Sequence, residues 1–152
     1  MELALSLAQS AEALDEVPVG AIIVKDDTIV STGVNLKESK SDPTAHAEMI
    51  AIKKASEVLG SWRLINCEIY VTLEPCIMCA GAIFQSRFKR VVFGTDDPKG
   101  GALGSLYSIH DDSRINHNFP VQSGVLQSRC SHQLKDFFKK KRLKKPIKHQ
   151  MP

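Results

Sequence analysis

Residues 68 to 94, EIYVTLEPCIMCAGAIFQSRFKRVVFG, decide the architecture. The run EIYVTL at 68–73, rich in β-branched and aromatic side chains, reads as a strand, and RVVFG at 90–94 reads as another. Between them PCIMCAGAIFQS opens a helix at Pro75, where a missing backbone N–H is tolerated. Strand, helix, strand implies a parallel pair joined by a crossover. The same stretch raises a chemical question, because Cys76 and Cys79 stand at the start of that helix in a Cys-x-x-Cys pair.

Towards the N-terminus, ELALSLAQSAEAL at 2–14 predicts a first helix with an apolar stripe through Leu3, Leu7, Ala11 and Leu14. VPVGAIIV at 17–24 and TIVSTGV at 28–34 read as a hairpin that turns at Lys25, Asp26 and Asp27. A second helix is expected from Asp42 as N-cap and Pro43 as first helical residue, through Leu59 to a stop at Gly60. Its apolar face is read as Ala47, Ile50, Ala51, Ala55 and Val58.

After Gly94 the chain is glycine-rich and irregular through Gly104, with a short helix expected near 105–109 and a last strand at 121–126. SHQLKDFFKKKRLKK closes it as a helix, with Ser131 as N-cap and Leu134, Phe137 and Phe138 as its apolar side. A small mixed sheet covered by helices fits this order.

Bulk properties agree with one domain: 152 residues, 43% of them hydrophobic, suffice for a real core. The longest apolar runs, such as Ala21 to Val24 and Ala80 to Phe84, fall far below the roughly 18 residues of a membrane span. With no leader pattern at the start, an intracellular, cytoplasmic protein is expected. Four cysteines are too few for a disulfide scaffold. Cys67 and Cys130 stand alone and read as buried small side chains or inert thiols. Seven lysines and arginines and no acid follow from Lys139 onward, so the acidic side chains all lie in the first 138 residues. Such a tail reads either as a solvated end or as a phosphate contact.

Cys76 at a helix start meets unpaired N–H groups and the positive end of a dipole, which favour a thiolate. Alone, the pair suits a redox couple, a structural metal clip or part of a catalytic metal site. His46-Ala47-Glu48, 30 residues upstream of the pair, lies at the start of the other well-marked helix. Both helices follow sheet elements, so their N-termini can meet at one edge of the sheet. One imidazole and two thiolates are the three protein ligands of an open, catalytic zinc. The fourth position is left for water, whose acidity zinc raises enough to supply hydroxide near neutral pH. Attack on an aromatic amidine carbon then needs a carboxylate near the metal to carry protons, and Glu48 is the candidate. Residues two apart on a helix point about 200° apart, so His46 and Glu48 can share a site only off the helix end.

His-x-Glu followed by Pro-Cys-x-x-Cys resembles the zinc deaminase signature. With EVPVGAIIV, DPTAHAEM, YVTLEPCIMCAGAI, SRFKRVVFG, GGALGSL and DFFKKKR, nearly the whole chain resembles the bacterial tRNA-specific adenosine deaminases. That resemblance implies a three-layer α-β-α cytidine-deaminase-like fold with about five strands, formed by residues 1–142. A flexible basic tail is expected at 143–152, with disorder beyond Pro146. It implies hydrolytic deamination of adenosine to inosine at the wobble position of a tRNA anticodon, typically of an arginine tRNA, by a homodimer with one zinc per subunit. His46, Cys76 and Cys79 would hold zinc and Glu48 would move protons. Asn35 would contact the target nucleoside, VPVG at 17–20 would wall its pocket, and Asp97 would lie near the substrate backbone. Phe138 and the basic residues to Arg142 would meet anticodon-loop nucleotides.

A loop base can enter a pocket without the unpairing cost of a duplex, while its phosphates call for cations and its neighbours for aromatic faces. Two departures from the family pattern are visible: the chain opens inside what is usually a longer first helix, and Asn118 stands where many members have arginine. The rivals are a deaminase of a free base, nucleoside or nucleotide, a non-catalytic zinc-stabilised RNA-binding module, and a Cys76–Cys79 redox couple. The first has no need of a basic, aromatic final helix.

Overall fold

The computed structural model describes residues 1–145; the disorder expected beyond Pro146 lies outside them. Five strands form one mixed sheet in the order β2-β1-β3-β4-β5. β1 (Gly20–Lys25) and β2 (Thr28–Val34) make the expected hairpin. Asp26 and Asp27 both take positive φ, 49° and 59°, the backbone of a tight hairpin turn that follows the strand twist. β3 (Cys67–Leu73) runs antiparallel to β1 and parallel to β4 (Arg90–Thr95), with Glu68 opposite Arg90 and Leu73 opposite Thr95. The crossover between β3 and β4 is the read helix, α3 (Ile77–Gln85). The last strand is shorter than expected: β5 is only Val121–Gln122.

Helices cover both faces, giving the three layers. α1 (Glu2–Glu12) packs on β1, and α2 (Ala47–Leu59) packs on β2 and β1 from the opposite side. Two glycines set these distances. A Cβ on Gly20 would strike the Ala4 carbonyl and reach 2.9 Å from the Ala8 nitrogen; one on Gly33 would strike the Ala47 carbonyl and reach 2.8 Å from the Ala51 nitrogen. The helices therefore touch the sheet with backbone, and only small residues fit between.

That close approach corrects two expected stripes. In α1 the buried side is Ala4, Leu5, Ala8 and Ala11, with Leu3 and Leu14 exposed. In α2 it is Ala47, Glu48, Ala51, Ile52 and Ala55, while Ile50 is half-buried and Val58 is 67% exposed. Leucine and valine are displaced outward because alanine permits the tighter contact. Between the layers lie Ile23, Leu64, Ile69, Val71, Phe88, Val91 and Phe93, all essentially inaccessible.

Near the C-terminus the expected short helix at 105–109 is instead a turn, in which Gly104 N–H donates to the Tyr107 carbonyl (2.7 Å), followed by a single 3-10 turn at Ile109–Asp111. The final helix α4 (Gln127–Lys144) begins earlier than Ser131. Leu126 is its N-cap at φ 52°, and Cys130 sits against Gly94 so closely that a Cβ there would collide with its sulfur. That contact brings the first turn of α4 onto the sheet. α4 also runs to Lys144, past the boundary read at residue 142. Asn118 donates to the carbonyls of His110 and Asp112 (both 3.1 Å), so it ties its own loop. No helix among the described residues is long and apolar enough to cross a membrane.

Candidate active site

α2 does not start at Asp42. The Asp42 carboxylate accepts from the Thr44 N–H (2.8 Å) and hydroxyl (2.7 Å), closing a separate turn ahead of the helix. Helix begins at Ala47, which makes His46 the N-cap, with φ −75° and ψ 154°. Cys76 occupies the same place before α3, with φ −72° and ψ 175°, and Pro75 therefore lies outside that helix. Neither residue caps its helix through its side chain, so both side chains are available to a third group.

The shift resolves the angular conflict between His46 and Glu48. His46 is outside the helix and Glu48 is in its first turn, so both can address a point off the helix end. There His46 Nδ1 lies 3.6 Å from Cys76 Sγ and 3.5 Å from Cys79 Sγ. The three ligand atoms are all within 4.8 Å of one another, and both thiols are free. A tetrahedral zinc with bonds of 2.0–2.3 Å needs its ligand atoms about 3.5 Å apart, so the donor set fits.

Electrostatics support one thiolate in the pair. Hydrogen bonding from the Cys79 thiol, then from His46, pulls Cys76 down to about 4 against the effect of burial. Cys79 moves upward, chiefly because it donates to Cys76 and secondly because it is buried. His46 is raised by its bond to Cys76, with burial opposing and the Glu48 charge assisting. Glu48 is 4% exposed, and burial raises it against the stabilising contact from Cys79.

A cavity of about 160 Å³ opens on this cluster, lined among others by Val17, Val19, Asn35, Lys37, His46, Glu48, Glu74, Cys76 and Asp97. Of the VPVG stretch, Val17 and Val19 line it. Asn35 is buried there; its Nδ2 donates to the Val17 carbonyl (3.2 Å) and its Oδ1 accepts from Lys37 N–H (3.3 Å). One amide hydrogen and one lone pair remain for a ligand. Asp97 Oδ1 accepts from the N–H groups of Lys99 (3.1 Å) and Gly100 (3.2 Å).

A wider depression of about 650 Å³ shares Val17, Leu73 and Asp97 with this cavity and extends to Lys99, Lys135, Phe138 and Arg142. Phe138 and Arg142 are exposed, away from the metal cluster but on the same groove. Another depression, about 760 Å³ between α1 and α4, contains none of His46, Glu48, Cys76 and Cys79.

Sequence reading missed Lys37 and two buried carboxylates. Glu16 accepts from the N–H groups of Ser39 (2.5 Å) and Glu38 (3.2 Å), pinning the loop after Asn35. Glu74 accepts from the 97–105 segment. The only local signal was an acid beside apolar residues, at Glu16-Val17 and Leu73-Glu74.

The model of the cytidine and deoxycytidylate deaminase zinc-binding region matches residues 1–95. The chain is 52% identical to the tRNA-specific adenosine deaminase of Haemophilus influenzae over 97% of its own length and 86% of that protein's. It is 46% identical to that of Bacillus subtilis over 95% and 90%. Among solved structures it resembles one described under A-to-I editing by tRNA:A34 deaminases at the wobble position of transfer RNA. There the TM-score is 0.85, the identity 43%, and the coverage 88% of this chain and 97% of the other.

Proposed function

The chain belongs to the cytidine and deoxycytidylate deaminase family, among its tRNA-specific adenosine deaminases, and we propose that it converts adenosine to inosine at the wobble position of a tRNA anticodon. An arginine tRNA is the proposed substrate, and the cytoplasm the proposed place of action. The observation that carries this reading is the continuity of two features: the His46, Cys76, Cys79 and Glu48 cluster, and a groove that leads from it to Phe138 and Arg142. An enzyme of free bases has no use for the second.

His46, Cys76 and Cys79 would hold one zinc ion per subunit, which when bound supplies a Lewis acid that makes water nucleophilic near neutral pH. Glu48 takes a proton from the attacking water and gives it to N1 of the purine. It then moves the proton of the hydroxyl newly joined to C6 onto the amine, the C6–N6 bond breaks, and ammonia leaves. Burial raises the proton affinity of Glu48, which suits a group that must accept and return protons at neutral pH. Asn35, with Val17 and Val19, receives the nucleoside, and Asp97 faces its backbone. Phe138 offers a ring to a neighbouring base, and Arg142 offers a cation to phosphate.

Residues 1–142 constitute the deaminase unit in this reading, and 143–152 its basic tail. The homodimer is supported by exposed Ile77, Leu106 and Tyr107. They are gathered by the Cys76–Gly101 bridge and by the Gly101 carbonyl, which accepts from Leu106 N–H.

The deciding experiment incubates zinc-loaded protein with an arginine tRNA bearing adenosine at the wobble position, and separately with free adenosine, cytidine and guanine. Inosine confined to the tRNA is expected. Turnover of a free base or nucleoside alone would keep the metal site and overturn the RNA assignment.

A further inference from the structure

Glu74 is 2% exposed and lines the same cavity as Glu48, yet the reaction above gives it nothing to do. Among the described residues it has no cationic partner within ion-pair distance. Its oxygens are met by main-chain and hydroxyl donors. Oε1 accepts from Asp97 N–H (3.1 Å) and the Ser105 hydroxyl; Oε2 accepts from Leu103 N–H and Ser105 N–H (3.1 Å each). Four donors on one buried carboxylate are close to its full capacity. All of them come from one loop.

The backbone repeats the connection. Glu74 N–H donates to the Thr95 carbonyl (2.9 Å), Ala102 N–H donates to the Pro75 carbonyl (2.9 Å), and Gly101 bridges Cys76. Gly101 makes room for this arrangement: a Cβ there would collide with the Glu74 carboxyl group. Its φ lies outside the left-handed region, so space and not backbone freedom requires glycine at that place.

We propose that Glu74 is a positioning residue that fixes the 97–105 loop against the strand end carrying Cys76, and so sets Asp97 at the mouth of the pocket. The proposal rests on the deaminase reading for its kinetic consequence, but not for the loop itself. A base displaced by even about an ångström reacts far more slowly, so the loss falls on kcat. RNA affinity comes mainly from the α4 side of the groove, so KM should move little.

The test compares Glu74→Gln and Gly101→Ala, each zinc-loaded, with the unaltered chain. Glutamine keeps the shape but turns an NH2 toward N–H donors; alanine pushes the carboxylate away. For both, kcat on tRNA should fall at least tenfold with KM within about twofold. Zinc content should be unchanged, and amide hydrogen exchange should accelerate at Asp97, Leu103 and Ser105 but not in α2 or α3. The double variant should lose little more than the worse single one, because both disturb one contact. Wild-type exchange at the three amides with full kcat in Glu74→Gln would overturn the proposal. So would loss of zinc from that variant, which would place its effect at the metal ligands. An unaltered chain that leaves tRNA unedited would instead sink the functional reading, and the exchange comparison would still decide whether Glu74 holds the loop.

Discussion

The metal pocket and α4 share one groove but are held in opposite ways. Around His46 two loops are fixed by buried carboxylates: Glu16 clamps the loop after Asn35, Glu74 clamps the loop after Asp97, and the ligand residues sit at two helix starts. α4 is held by few buried side chains, Cys130 and Phe137 among them, and by ion pairs to α1 and to Asp15 just after it that water reaches. On the proposed reading the difference tracks the tasks. Bond breaking requires positions fixed within a fraction of an ångström, whereas a flexible RNA loop is better met by a surface that can adjust.

The sharpest break in this comparison is chemical. Glu48→Gln should retain zinc and fold while turnover drops by about 10²–10⁴, read by metal analysis beside an inosine assay; retained turnover would remove Glu48 from proton transfer. His46→Ala should lose both metal and activity. On the α4 side, Phe138→Ala should cost about 1–3 kcal/mol of stacking, seen as a weaker KM for tRNA with zinc content and melting temperature unchanged. An unchanged KM would make the 42% exposed ring incidental.

Gly33→Ala probes rigidity on the pocket side. Its methyl must push α2 from the sheet, and overpacking of this kind costs about 1–3 kcal/mol in denaturant unfolding. The smallest effect concerns acid. Burial pushes Glu16 up, but the Ser39 and Glu38 donors outweigh it, so its folded-state value lies below 4.5. Its contribution is therefore complete above 4.5 and lost as pH falls through the folded value. The melting-temperature gap between the unaltered chain and Glu16→Gln should narrow over that range, and a gap independent of pH would show that the charge is not what holds the loop.

What could be read from the sequence was whatever is local. The Cys76 and Cys79 spacing, the His46 and Glu48 pair, the hairpin and the parallel crossover each depend on residues close in the chain or on a pattern of chemical types. The errors came from tertiary contacts. Asp-Pro is the right signal for an N-cap at Asp42, but its carboxylate serves Thr44. Hydrophobicity favours Leu3, Leu14 and Val58 inside, but Gly20 and Gly33 draw the helices so near that alanine wins. The work of Glu74 was invisible because its donors lie 23 to 31 residues away.

The ion pairs of α4 also alter what its charge means. Lys140 lies 2.8 Å from Asp136 and 3.6 Å from Glu12, and Lys141 lies 3.9 Å from Asp15. A phosphate reaching either lysine must displace a carboxylate already there. The decline of affinity with salt, about 0.7 logarithmic units per single-strand phosphate contact, should therefore be shallower than the count of basic residues suggests. Part of the positive charge is held by acids on its own surface, so on the proposed reading raising the salt should loosen the mooring of the helix along with its hold on RNA.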